Sequence, residues 1–86
     1  MIRLTKEANN LHKLYIGNNP QSIIYFSYEV PIGFIPDTNI PSVCYIAKNQ
    51  WSSTTGQHLN MIDKTTARID YTQLVNKISE KIKTSQ

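Results

Sequence analysis

Residues 22–30, SIIYFSYEV, constrain the fold more than any other stretch of the chain. Read with period two, they put Ile24, Phe26, Tyr28 and Val30 on one face and Ile23, Tyr25, Ser27 and Glu29 on the other. Branched and aromatic side chains favour a pleated, half-buried surface, so a sheet is the expected main element. Pro31 lacks a backbone donor, which predicts an edge, a bulge or a break at that point. IGFI then resumes the apolar run, PDTNIP at 36–41 carries turn chemistry, and SVCYIAK reads as a returning strand. The connection is too short for a parallel crossover, so these segments are expected to form an antiparallel hairpin.

Upstream, Leu14 and Ile16 alternate with Lys13 and Tyr15, which predicts a first strand ending in the Gly17–Pro20 turn. MIRLTKEANN fits two structures: a strand followed by a turn, or a helical start capped by Thr5.

After Lys48 the period changes. Thr54 followed by Gln57 has the spacing of a capping box, and Leu59 and Ile62 share a helical face, so a short helix is expected over about 55–62. DKTTA reads as a loop, and Arg68–Ile69 as a brief strand. Asp70 with Gln73 repeats the cap signature. Tyr71, Leu74, Val75, Ile78 and Ile82 then make one helical stripe over about 71–83. The expectation is an α+β fold in one domain over 1–86. A three- or four-stranded antiparallel sheet spans about 11–50, the short helix follows the last long strand, and the C-terminal helix packs on one sheet face.

The net charge of +3 permits contact with nucleic acid but does not demand it, and nine basic against six acidic residues exclude an acidic mimic of DNA. Cys44 lies in the apolar run SVCYIA and reads as a small buried hydrophobe rather than a reactive thiol. One cysteine suits a reducing cytosol. There is no apolar targeting core at the N-terminus and no apolar run of membrane-spanning length, so the expected setting is cytoplasmic with no membrane partner.

WSSTTGQHLN, 51–60, concentrates the polar chemistry. Four readings compete. In a structural seam, Thr54 caps the helix, Trp51 covers the sheet's end, Gly56 admits a close backbone, and His58 and Asn60 bond nearby carbonyls. In an anion site, helix N–H groups join Ser52, Ser53, Thr54 and Thr55, Trp51 stacks a base, and His58, Lys48 and Lys64 supply positive charge. Catalysis would pair a hydroxyl with His58, but nothing in the sequence supplies an orienting group or an oxyanion hole. A metal centre would have to be built from His12, His58 and Cys44, which are too few and wrongly spaced. No cofactor motif is present.

FSYEVPIGF followed by WSSTTGQHLN resembles a small uncharacterised domain family of phages and mobile elements. The shared pattern is S-Y-x-x-P-[IV] on a strand, then [WY]-S-x-T-T-x-x-H-x-N. Ser27, Tyr28, Pro31 and Ile32 match the first half, and Trp51, Ser52, Thr54, Thr55, His58 and Asn60 the second. Val30, Gly33 and Gln57 depart from the residues usual in that family, where Thr, Ala and Lys stand. The resemblance implies a virus or plasmid setting, a compact strand–strand–helix domain and no transferable reaction, so the cytoplasm expected is that of a host cell. The functional expectation is a non-enzymatic binding protein that contacts nucleic acid through Trp51, Ser52, Thr54, Thr55, His58, Asn60, Lys48 and Lys64. The alternatives are a protein-binding inhibitor of a host defence system and a structural or regulatory homo-oligomer, such as a homodimer.

Overall fold

The computed structural model describes residues 2–18 and 20–84. Six strands and two helices follow in the order β1 (Ile2–Ala8), β2 (Leu11–Ile16), β3 (Ser22–Ser27), β4 (Val30–Ile35), β5 (Tyr45–Ala47), α1 (Ser53–Ile62), β6 (Arg68–Ile69) and α2 (Tyr71–Thr84). The strands form one sheet in sequence order, antiparallel except for the last pair. The fold is α+β as expected, but six strands replace the expected three or four.

The extra strands have physical causes. The N-terminal segment resolves as strand rather than helix. Ile2 and Leu4 point to one side of β1 and Arg3 and Thr5 to the other, and β1 pairs residue for residue with β2 up to a bulge at Glu7. Asn10 supplies the left-handed conformation (φ 64°) that closes this hairpin.

The run SIIYFSYEV, expected as one strand, is two. Ser27 pairs with Val30, so Tyr28 and Glu29 form a tight turn, with Tyr28 left-handed at φ 57°. A bulky residue is strained there, and no Gly or Asn marked the turn in the sequence. Its amide compensates by donating to the Asn10 carbonyl at 2.7 Å, tying the two hairpin turns together. Pro31 sits at a register shift, opposite Phe26 while Gly33 faces Tyr25, which realises the expected bulge and leaves Ile32 unpaired but fully buried.

The sheet also begins earlier and ends later than the expected 11–50, because β6 joins β5 in parallel. The short-connection rule does not apply to that pair: residues 48–67 carry α1 and are long enough for a crossover. Lys48 N–H donates to the Ile69 carbonyl at 2.8 Å and extends the parallel ladder.

Alternation along the strands builds two cores. Ile24, Phe34 and Ala47 meet Leu74 and Ile78 of α2 on one face. Leu11, Ile32 and Ile46 meet Leu59 of α1 on the other. The helices therefore lie on opposite faces, chiefly over β4 and β5. β2 is only partly covered by the helices, and β1 extends beyond them as a wing.

The N-terminus of α1 starts earlier than expected. Ser52, not Thr54, is the cap: its Oγ accepts from Thr55 N–H at 3.3 Å, and Thr54 is exposed. Asn49 supports this turn, accepting from Trp51 N–H through Oδ1 (3.0 Å) and donating from Nδ2 to the Ser52 carbonyl (3.2 Å). A Cβ at Gly56 would stand 2.9 Å from the Asn49 amide nitrogen, so the close neighbour there is a side chain and not the expected backbone. At α2, the Gln73 side chain accepts from Asp70 N–H at 3.1 Å, half of the expected cap reciprocity.

Asp63 ends α1 and organises the loop after it. Its carboxylate accepts from the hydroxyls and amides of both Thr65 and Thr66, which hold it well below the usual carboxylate range, the Thr66 hydroxyl most strongly. A depressed folded-state pKa contributes stability above the ordinary carboxylate range, and this is lost as pH falls through it. Asp63→Asn is therefore expected to lower the melting temperature at neutral pH, with the gap to the parent protein narrowing below about pH 4. Melting curves across pH check this. A gap that stays constant down to about pH 2 would refute it.

Candidate functional site

The two halves of the sequence motif meet in space. Ser27 ends β3, and Thr55 and His58 occupy adjacent turns of the same side of α1. Ser27 Oγ lies 2.7 Å from His58 Nδ1 and 3.1 Å from Thr55 Oγ1, while His58 Nε2 lies 3.0 Å from the Asn9 carbonyl. The carbonyl can only accept, so Nε2 carries the proton in the neutral ring and Nδ1 accepts from the Ser27 hydroxyl. The Thr55 hydroxyl is then left to donate to Ser27. The chain of bonds runs in one direction: Thr55 to Ser27 to His58 to Asn9. Tyr28, next to Ser27, sets its ring 6.2 Å from the imidazole at a 50° tilt.

A serine at 2.7 Å from an imidazole nitrogen is the contact a nucleophile and its base require. Here, however, Ser27 is 1% exposed, Thr55 4% and His58 4%, so the hydroxyl faces the interior rather than a substrate. What the arrangement does is bind three pieces together: the turn after β1, the end of β3, and α1. Sequence reasoning missed Ser27 as a partner of His58. The available signal was a hydroxyl on the same strand face as Ile23 and Tyr25, where burial demands a hydrogen-bond partner.

The other expected site residues are dispersed. Trp51 is half-buried between the two cores, with its ring edge-on to Tyr71 at 5.4 Å, and so covers the sheet's end. Ser52 is consumed as the cap. Asn60 is exposed and accepts from Arg68 Nη2 at 3.4 Å. Lys48 Nζ faces the Asp70 carboxylate at 3.3 Å on the surface. Lys64 is exposed in the loop after α1. His12 lies on the α2 side of the wing, with Leu4 and Phe26, away from His58. No three metal-binding side chains come together among the described residues. Cys44 is half-buried against the α1 core. Burial first, and then the Asp63 charge, push its thiol up and keep it protonated.

A second cluster was not anticipated. On the α1 side of the open wing, the cross-strand register sets Arg3 beside Tyr15, and Lys13 beside Tyr25. The Arg3 guanidinium stands 4.3 Å from the centre of the Tyr15 ring, and Lys13 Nζ 5.5 Å from that of Tyr25. Lys13 also pairs with Glu7 at 2.8 Å, which raises its pKa. Burial raises the Tyr25 phenol, with the Lys13 charge pulling the other way, so the ring is neutral. The signal was present in RLT and KLY, where basic residues alternate with apolar and aromatic ones, but it depends on β1 being a strand.

A six-stranded α+β sheet protein, with one helix on each face and an internal serine–histidine clasp, is the class these observations define. The chain belongs to the family described as Family of unknown function (DUF8033), which matches it over residues 2–80. No curated protein and no solved structure matches it significantly.

Proposed function

We propose that this chain is a small non-enzymatic binding protein of phage or mobile-element type that contacts nucleic acid, with the α1-side face of β1–β3 as its platform. The observation that carries this reading is the pair of cation-capped tyrosines on the α1-side face of β1–β3, Arg3 over Tyr15, and Lys13 over a half-buried Tyr25 beside Met61 and Ile62 of α1. Phosphates attract such cations, and the Tyr15 face so vacated can stack a base. Lys64, exposed in the loop after α1, adds a further positive charge. The hydroxyl–histidine motif holds the platform's strands to α1. Its exposed residues, Thr54 and Asn60, are the members that remain able to meet a ligand. Lys48, which already faces Asp70, contributes less.

Binding is expected to be weak, tolerant of sequence and steeply salt-dependent. About three phosphate contacts give a log–log slope near −3 on duplex DNA. Arg3→Ala and Lys64→Ala are each expected to flatten the slope by about one. Tyr15→Ala is expected to weaken single-strand binding about tenfold with no change in slope, since a stacked ring releases no counterion. Electrophoretic retardation and fluorescence titration over a salt series check this. Absence of binding to single- and double-stranded probes at ~50 mM salt, where electrostatic binding is strongest, would sink the proposal and favour a protein partner.

A further inference from the structure

Two side-chain atoms are buried without a hydrogen-bond partner among the described residues, Thr5 Oγ1 and Arg68 Nη1. The first belongs to a neutral hydroxyl. The second belongs to a cation, and a charged donor taken from water ordinarily gains a partner in exchange. Arg68 stands on β6 in register with Ile46, so its side chain shares the sheet face that α1 covers. One nitrogen of the guanidinium is inside. The other, Nη2, donates at the surface to Asn60 Oδ1 at 3.4 Å, near the outer limit of a hydrogen bond.

No carboxylate among the described residues pairs with this cation. The two ion pairs there join Lys13 to Glu7 and Lys48 to Asp70. Asp63, the acid that ends α1, directs both carboxylate oxygens at Thr65 and Thr66. A half-buried positive charge is thus left with one long bond to a neutral amide. Asn60 is the motif residue that the clasp does not use. It is exposed, and among the described residues its Nδ2 donors are uncommitted. A rotation of the amide turns those donors toward the spot where Oδ1 now stands. The loop that joins Asn60 and Arg68 carries the exposed Lys64.

We infer that Arg68 and Asn60 form an oxyanion site that takes a phosphate group, a backbone phosphate where nucleic acid is the partner. The anion replaces Asn60 Oδ1 as the acceptor at Nη2, and Asn60 Nδ2 donates to it. The planar guanidinium suits two oxygens of one tetrahedral anion, and the amide serves a third. The assignment to a backbone phosphate rests on the nucleic-acid reading; the oxyanion site itself does not. The site is also separate from the Arg3–Tyr15 platform. β6 and β1 are opposite edges of the sheet, roughly 24 Å apart at the usual strand spacing.

Nuclear magnetic resonance titration of the isotope-labelled protein tests it. The probes are sodium phosphate and a short oligothymidylate, with sodium chloride at matched ionic strength as the control. The Arg68 Nε–Hε and Asn60 Nδ2 resonances are expected to shift saturably with both probes and not with chloride. Arg68→Gln is expected to weaken phosphate binding roughly tenfold. Asn60→Asp, at an exposed position that the fold tolerates, sets a carboxylate where the anion would sit and is expected to abolish the phosphate response. No saturable shift at either side chain up to about 100 mM phosphate overturns the inference. So does an Asn60→Asp protein that binds phosphate as the parent does. An oligonucleotide that shifts Arg3 and Tyr15 but leaves Arg68 and Asn60 unmoved overturns the backbone-phosphate assignment and spares the platform. Shifts from phosphate without any from the oligonucleotide support the oxyanion site and assign it to free phosphate. Shifts from polyglutamate but not from phosphate overturn the phosphate assignment in favour of an acidic protein.

Discussion

Removal of all residues from Tyr71 onward is expected to leave a chain that no longer folds cooperatively. Leu74 is fully buried and Ile78 is 8% exposed, both against Ile24, Phe34 and Ala47, with Tyr71 packed at the margin. Burial of each such aliphatic side chain contributes roughly 1.5–3 kcal/mol, and deletion also exposes the sheet residues beneath. The total reaches the order of the ~5–15 kcal/mol that stabilises a whole small domain. The loss extends to the sheet edge, because Leu74 N–H donates to the Asp70 carbonyl and Asp70 adjoins β6. Circular dichroism and amide proton dispersion of the 1–70 chain are the readouts. A sharp denaturation transition with dispersed resonances in that chain would show that the α1-side core suffices on its own.

The α2 stripe was legible in the sequence because nothing in the tertiary structure competes with a period of 3.6 over several turns. Leu74 and Ile78 face inward as the spacing required. Ile82 follows them only in part: it borders the hollow lined by Leu14, Ile16 and Phe26 and stays 42% exposed, and spacing alone cannot show how closely the sheet approaches the last turn. The short elements were harder to read for a different reason. Alternation runs unbroken through Tyr28 and Glu29, yet the chain reverses there, because the turn is stabilised from outside by the Asn10 carbonyl and the His58 ring. A local reading cannot find a turn whose stabilisation is non-local. The cap at α1 is a similar case. Ser52, Ser53 and Thr54 all offer hydroxyls, and Asn49 selects the first by bonding to both Trp51 and Ser52.

The candidate site was legible as a set of residue types and not as a geometry. The motif 51–60 holds a cap, a clasp and a packing indole. The chemistry that faces solvent lies instead on β1–β3, where it becomes visible only once β1 is known to pair with β2. Thr55 and His58 follow from helical spacing, being three apart, but the third member, Ser27, is supplied by β3 across the core.

That clasp makes the second large prediction. His58→Ala is expected to destabilise the protein by about 3 kcal/mol, placing it among severe single substitutions with a named mechanism. The imidazole is buried and bonded at both nitrogens, so its removal takes the acceptor from the Ser27 hydroxyl and the donor from the Asn9 carbonyl and opens a void beside α1. For a chain of this length the loss corresponds to a fall in melting temperature of about 12–24 °C. Ser27→Ala is expected to cost less, about 1–2 kcal/mol, because it leaves Nδ1 and the Thr55 hydroxyl unpaired but creates little void. The two losses should not add: with both partners gone, the double variant is expected to be more stable than the sum predicts by about 1 kcal/mol. Urea denaturation of the four proteins measures this. Strict additivity, or a His58→Ala protein within about 0.5 kcal/mol of the parent, would show that the bonds are incidental to folding. The same variants separate the clasp from the platform. Measured well below their melting temperatures, those that remain folded are expected to bind single-stranded probes with the parent's salt slope, since His58 and Ser27 are buried beneath α1, farther along the face that carries Arg3 and Tyr15.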